Sequence, residues 1–165
     1  MRLRLILPLV ALLGLAACGG AGADATRSAP GREPPLYPNE TPELRALINE
    51  YAAFYDVPAA LIHRSIDRES DYRVDARAGP YYGLMQILPQ TARTMGFRGA
   101  DSDLLDAETN LRWGVKYLRG AWLLSDGDFD TAIGWYARGY YYEARDRCML
   151  VETGLRAREV RRDCG

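Results

Sequence analysis

Glu69 has the spacing of a carboxyl group that can act as an acid. It falls three residues after Ile66, four after Ser65 and seven after Ile62. On a helix, that spacing puts its side chain on the inward-facing side, near the carboxyl end. Desolvation by apolar neighbours and the negative end of the helix dipole both disfavour the ionised form there. A carboxylic acid kept protonated near neutral pH can serve as a general acid. A second reading stays open on these residues alone: most Glu side chains lie on the surface, and Arg64, Arg68 and Arg73 are at hand to pair with this one.

Other chemistries fit poorly. His63 is the only histidine, and it lies two residues from Ser65, so the two side chains do not face each other on a helix. His63 reads as an exposed or packed helix residue. There is no G-x-S-x-G elbow and no phosphate-cradling loop ending in Gly-Lys-Ser/Thr. One His and three Cys do not supply a zinc cage. Lys plus Arg is 21 against 22 Asp plus Glu, for a net charge of −1, without the basic excess of a nucleic-acid binder. No metal or cofactor is implied, and no nucleic-acid partner.

The elements that must position Glu69 are helical. Thr41-Pro42-Glu43 supplies an N-cap, a proline at the first helical position and an acid in the first turn. Leu44, Leu47, Ile48, Tyr51 and Tyr55 then share one face. Pro58 starts a second helix with Leu61, Ile62 and Ile66 inward. A short third helix runs from Pro89 to a stop at Gly96. Asp106 caps a long helix with Leu111, Val115, Leu118 and Trp122 inward, and Asp128 caps one running through Ala132, Ile133 and Tyr136. Gly139 interrupts it, and helix resumes from Tyr142. No strand pattern persists. The class is all-α, with irregular loops.

The N-terminus reads as an address. Arg2 and Arg4 precede an uncharged apolar run, Leu5–Leu15, too short to span a bilayer. Leu15-Ala16-Ala17-Cys18 looks like a bacterial lipobox, in which Cys18 is lipidated. Residues 1–17 are then a lipoprotein signal peptide. Residues 18–40, rich in Gly, Ala and Pro, are a flexible tether; 41–150 are the folded domain; and 151–165 are a charged tail. Cys148 and Cys164 remain, and beyond the inner membrane they can pair. Closing such a loop contributes about 3 kcal/mol in the chain-entropy picture.

The residues after Glu69 carry a resemblance. Glu69-Ser70-Asp71-Tyr72 is followed by Gly83-Leu84-Met85-Gln86-Ile87 and Pro89-Gln90-Thr91-Ala92. Then come Asp106-Ala107-Glu108-Thr109-Asn110, Gly114, Tyr117-Leu118 and Trp135-Tyr136-Ala137-Arg138-Gly139. In this order, over about residues 57–142, the chain resembles the soluble-lytic-transglycosylase family, with its goose-lysozyme-like helical domain and cleft. The resemblance implies non-hydrolytic cleavage of the β-1,4 bond between N-acetylmuramic acid and N-acetylglucosamine in peptidoglycan, leaving a 1,6-anhydro end. It implies that Glu69 is the single catalytic acid/base and that Ser70, Tyr82, Gly83, Met85, Gln86 and Tyr136 form the substrate site. Ser70 and Gln86 would hydrogen-bond sugar, Met85 would give an apolar wall, and the Tyr136 hydroxyl would reach Glu69 or an acetamido group. Tyr81, Tyr82 and Tyr140 are candidates for a groove lining, with core the equal alternative; Trp113 and Trp122 read as core.

The chain also departs from that pattern. Ala137 replaces an Asn, Arg138 follows it, and Pro80-Tyr81 replaces Gly-Ala. The Glu69–Gly83 gap is one residue short, and Ala107 replaces a proline. Two other functions stay in view: a muramidase-type hydrolase on the same substrate, and a non-catalytic wall-binding lipoprotein. The partners expected are peptidoglycan glycan strands and, through Cys18, a membrane. Gly19 after the cysteine points by resemblance to the periplasmic face of the outer membrane.

Overall fold

The computed structural model describes residues 34–164. The signal and lipidation readings, Cys18 included, and the tether up to residue 33 lie outside the described residues.

Six α-helices and one two-stranded hairpin make up the described regular structure, with one 3-10 turn. Helix α1 (Pro42–Tyr55) is capped by the Thr41 hydroxyl, which accepts from the Leu44 N–H. Helix α2 (Ala59–Ser70) follows Pro58 and ends at Asp71 in the left-handed region. Strands β1 (Arg77–Ala78) and β2 (Tyr81–Tyr82) pair antiparallel around Gly79-Pro80. Helix α3 (Pro89–Met95) stops at Gly96, whose φ of 115° suits glycine. A 3-10 turn, Asp101–Leu105, leads into the long α4 (Ala107–Leu123). Asp106 caps α4 through the Thr109 N–H, and Asp128 caps α5 (Phe129–Arg138) through that of Thr131. Helix α6 (Tyr141–Asp146) begins one residue earlier than its sequence signal. The all-α reading holds.

Helix α4 is the spine. It packs on α1, α3 and α5, and α1 packs on α2. Leu44, Ile48, Leu61, Ile62, Ile66, Leu111, Val115, Leu118 and Ile133 meet in the main core. A smaller cluster of Ile87, Ala92, Phe97 and Leu104 sits under α3 and the 3-10 turn, with Trp113 packed against it.

The loop after β2 is held from α4 by one side chain. Asn110, fully buried, accepts from the Met85 N–H at 2.9 Å and donates to the carbonyls of Tyr82 at 2.8 Å and Leu104 at 2.7 Å. The loop comes so close that a Cβ on Gly83 would lie 2.3 Å from Asn110 Nδ2 and 2.4 Å from the Leu104 carbonyl oxygen. Gly83 also has φ +70°. No other residue fits that space and that conformation.

Two boundaries need correction. Residues 35–40 belong to the compact unit, which Tyr37, Asn39 and the buried Glu40 contact, although residues 35–39 are exposed. The Glu40 carboxylate is fully buried and receives Nε and Nη2 of Arg45, each at 2.6 Å. Burial alone would raise its pKa. The bonds from Arg45 and the Tyr37 N–H, with the Arg45 and His63 charges, hold it below the usual carboxylate range instead. Tyr37 stacks on His63 and Tyr72, and His63 Nδ1 lies 2.9 Å from the Tyr72 hydroxyl. The start of the charged tail is likewise part of the domain. Leu150 and Thr153 are buried, and Cys148 and Cys164 are disulfide-bonded.

Asn110→Ala should lower stability by about 3 kcal/mol or more, because it strands three buried backbone groups; Gly83→Ala should cost a similar amount, both read as shifts in denaturant midpoint. Reducing the Cys148–Cys164 bridge should raise amide exchange across residues 149–163, the protection lost being up to about 3 kcal/mol, with little change in α4.

Candidate active site

Glu69 is the penultimate residue of α2, and its side chain is 23% exposed. Ile62 and Ile66 on the same helix anchor the buried face beneath it. Burial raises its pKa; the Arg68 guanidinium, with Nε 3.8 Å from Oε1, pulls in the other direction, and the net shift is upward. The carboxyl group opens into a depression of about 260 Å³ whose lining includes Arg68, Tyr81, Gln86, Tyr136 and Ala137. Glu69 is the one carboxylate among those lining residues.

The carboxyl end of α2 is itself fastened. Asn39 Nδ2 donates to the Asp71 carbonyl at 3.1 Å and to its carboxylate at 3.2 Å. Asp71, the acid nearest Glu69 in sequence, is thus exposed, engaged by Asn39, and absent from the lining of the depression.

Tyr136 comes from α5 and also lines the depression. Its hydroxyl donates its proton to the Met85 carbonyl at 2.7 Å, which leaves the oxygen to act toward Glu69 or an acetamido group only as an acceptor. Burial, with the nearby Glu69 charge second, lifts its pKa far above the usual phenol value, so it stays neutral. Gln86 stands in the left-handed region at φ 44°, a strained place for a side-chain-bearing residue. Its Nε2 donates to the carbonyls of Gly83 at 2.8 Å and Ala76 at 3.1 Å, tying the residue before β1 to the loop. Its Oε1 is buried and has no hydrogen-bond partner. The donors of Gln86 are therefore spent on the frame, and its free acceptor belongs to a side chain that lines the groove.

The other expected contacts lie behind the wall. Ser70 is buried, and its hydroxyl turns back to the Ile66 carbonyl at 3.4 Å. Met85 is fully buried against Gly114, where a Cβ would come within 2.6 Å of its sulfur, so it is core and not a cleft wall. The Tyr82 ring lies under the Arg77 guanidinium, 4.2 Å from it, and the Tyr82 backbone pairs with Ile87. Gly83 donates to the Ala76 carbonyl at 2.8 Å. These four residues build the frame and do not line the groove. Tyr140 is also core, its hydroxyl bonded to the Tyr117 carbonyl at 2.8 Å, whereas Tyr81 is 42% exposed and lines the depression.

The sequence left two features unread. Asn110 belonged to a recognised element, but nothing there showed that it reaches three backbone groups. Arg45 sits between Leu44 and Ile48 on the apolar face of α1, five residues after Glu40. A cation in that position is the signal of a buried pair. Among the described residues, no group of three or more His, Cys, Asp or Glu is arranged to hold a metal ion.

No solved structure matches the chain. The family model for the transglycosylase SLT domain matches residues 46–145, more than half of the chain, from within α1 into α6. That span holds Glu69, the loop bracketed by Asn110, and Tyr136, on a mostly helical, lysozyme-like frame. The chain therefore belongs to the transglycosylase SLT family, whose activity is directed at peptidoglycan.

Proposed function

We propose that the protein cleaves the β-1,4 bond between N-acetylmuramic acid and N-acetylglucosamine without water, with Glu69 as the single acid and base. The observation that carries the reading is a lone carboxylate, half-buried at a helix carboxyl end, in a depression whose lining offers no second one. Two-carboxylate glycosidases need a partner at about 5–9.5 Å, set by the nucleophile or water it must serve. With one carboxyl group, the second nucleophile must come from the substrate.

Protonated Glu69 gives its proton to the glycosidic oxygen as the bond from muramic C1 breaks. The developing cation is stabilised by the substrate's own acetamido group. The Glu69 carboxylate then removes the proton of the C6 hydroxyl as O6 bonds to C1. The acid is regenerated, and a 1,6-anhydro end is left. The export reading of residues 1–18 fits such a substrate: a lipidated Cys18 would hold the domain at the periplasmic face of the outer membrane, within reach of the wall.

Digestion of purified sacculi should release anhydro-ended muropeptides, one water lighter than the hydrolysed products; reducing ends would assign the protein as a muramidase instead. Glu69→Gln should lower turnover by about 10²–10⁴-fold, the range for loss of a general acid. The variant should be at least as stable as the parent at neutral pH. A carboxyl group whose folded pKa is raised favours the fold below its unfolded value, and that contribution is lost as pH rises through the folded value. Because Glu69 must start protonated, kcat/KM should fall on the alkaline side of its raised pKa. Arg68→Gln removes the charge that holds this value down, so the alkaline limb should move to higher pH; an unmoved limb would dissociate Glu69 from it.

A further inference from the structure

The depression at Glu69 continues into a longer groove. It shares Tyr81, Gln86, Tyr136 and Ala137 with a second depression of about 290 Å³. That one shares Thr91 and Tyr117 with a third of about 320 Å³. Charge is unevenly placed along it. Beyond Glu69 and its neighbour Arg68, the charged lining residues are Arg138 in the second depression and Arg156 in the third, with no acid among the lining of either. The whole chain carries −1, so this stretch runs against the overall balance.

These two cations differ from most others in the structure. Arg64, Arg93, Arg112 and Arg147 are paired with Asp130, Asp101, Glu108 and Glu143. Arg138 and Arg156 have no carboxylate partner and donate no side-chain hydrogen bond among the described residues. Each lies over an aromatic ring instead, Arg138 at 3.9 Å from the Trp135 centroid and Arg156 at 5.5 Å from that of Tyr141. A guanidinium supported on its face keeps its edge donors free for a bidentate carboxylate. Arg156 also lies outside the family match of residues 46–145. It is held by its own device. The Leu155 and Arg156 N–H groups both donate to the Leu150 carbonyl, at 3.0 and 3.1 Å, inside the loop closed by Cys148 and Cys164.

A chain of N-acetylated sugars whose lactyl groups are amide-linked offers these donors no negative charge. The peptides attached to it do. We propose that Arg138 and Arg156 form a subsite for the carboxylates of the peptide stems of the glycan strand, so that the groove selects peptide-bearing over bare strands. The inference rests on reading the groove as the glycan site.

The test uses the full chain carrying Glu69→Gln, so that strands bind without turnover, and short glycan strands either bearing tetrapeptide stems or stripped of them, with the lactyl carboxyl groups so exposed capped as methylamides. Stems should tighten Kd about tenfold, the size of one or two solvent-facing charge-assisted pairs. Methyl-esterified stems should bind as stripped strands do. Added Arg138→Gln and Arg156→Gln, both at exposed positions, should together remove the advantage, and reducing the disulfide should weaken the Arg156 share. Equal Kd values for the two strands, or an advantage that survives the double substitution, would overturn the proposal. Turnover of stripped strands by the parent protein decides the glycan reading separately.

Discussion

The arrangement depends on three hydrogen bonds from one amide. Asn110 reaches from the spine helix into a loop that has no regular structure of its own and satisfies the Met85 N–H and the Tyr82 and Leu104 carbonyls. Buried backbone groups must be paired, and a loop has no ladder to pair them. With that loop fixed, the Met85 carbonyl is placed to receive the Tyr136 hydroxyl and Gln86 is turned into its left-handed conformation. The lining around Glu69 is thus assembled from α4, the loop and α5 through a chain of bonds that begins at Asn110. Gly83 is the steric counterpart: the close approach exists only because no Cβ stands in the way.

Glu69 is positioned from the other side by hydrophobic packing and by a clasp. Ile62 and Ile66 sink α2 into the core, which brings its carboxyl end to the groove. Asn39 holds Asp71 two residues further on, while the Glu40–Arg45 pair and the stack of Tyr37 on His63 and Tyr72 hold the segment that carries Asn39. Breaking one partner of a buried pair costs about 3–5 kcal/mol. Residues before α1 therefore bear on the geometry of the acid, although they lie far from it in sequence.

Local signals made the helices legible. Thr41, Asp106 and Asp128 cap helices because short oxygen-bearing side chains satisfy free N–H groups, and Gly96 ends one because it tolerates positive φ. The inward placement of Glu69 followed from a period of 3.6. What could not be read was which faces of the motif residues point outward. Ser70 follows Glu69 directly, yet its hydroxyl turns back on its own helix. Met85 precedes Gln86, yet one is core and the other lines the groove. A loop has no period, so its facing is set by long-range bonds such as those of Asn110. The tether was misread at its end for a related reason: proline-rich composition around residues 34–38 says nothing about the buried Glu40 and stacked Tyr37 beside it.

The account turns on whether Glu69 holds its proton where an exposed carboxyl group would have lost it. A carbon-detected NMR titration of the labelled Glu69 side chain in the full chain measures this directly. The account predicts a midpoint well above the ordinary glutamate value, moving further up when Arg68 is neutralised. A midpoint at the ordinary value, indifferent to Arg68, would contradict it.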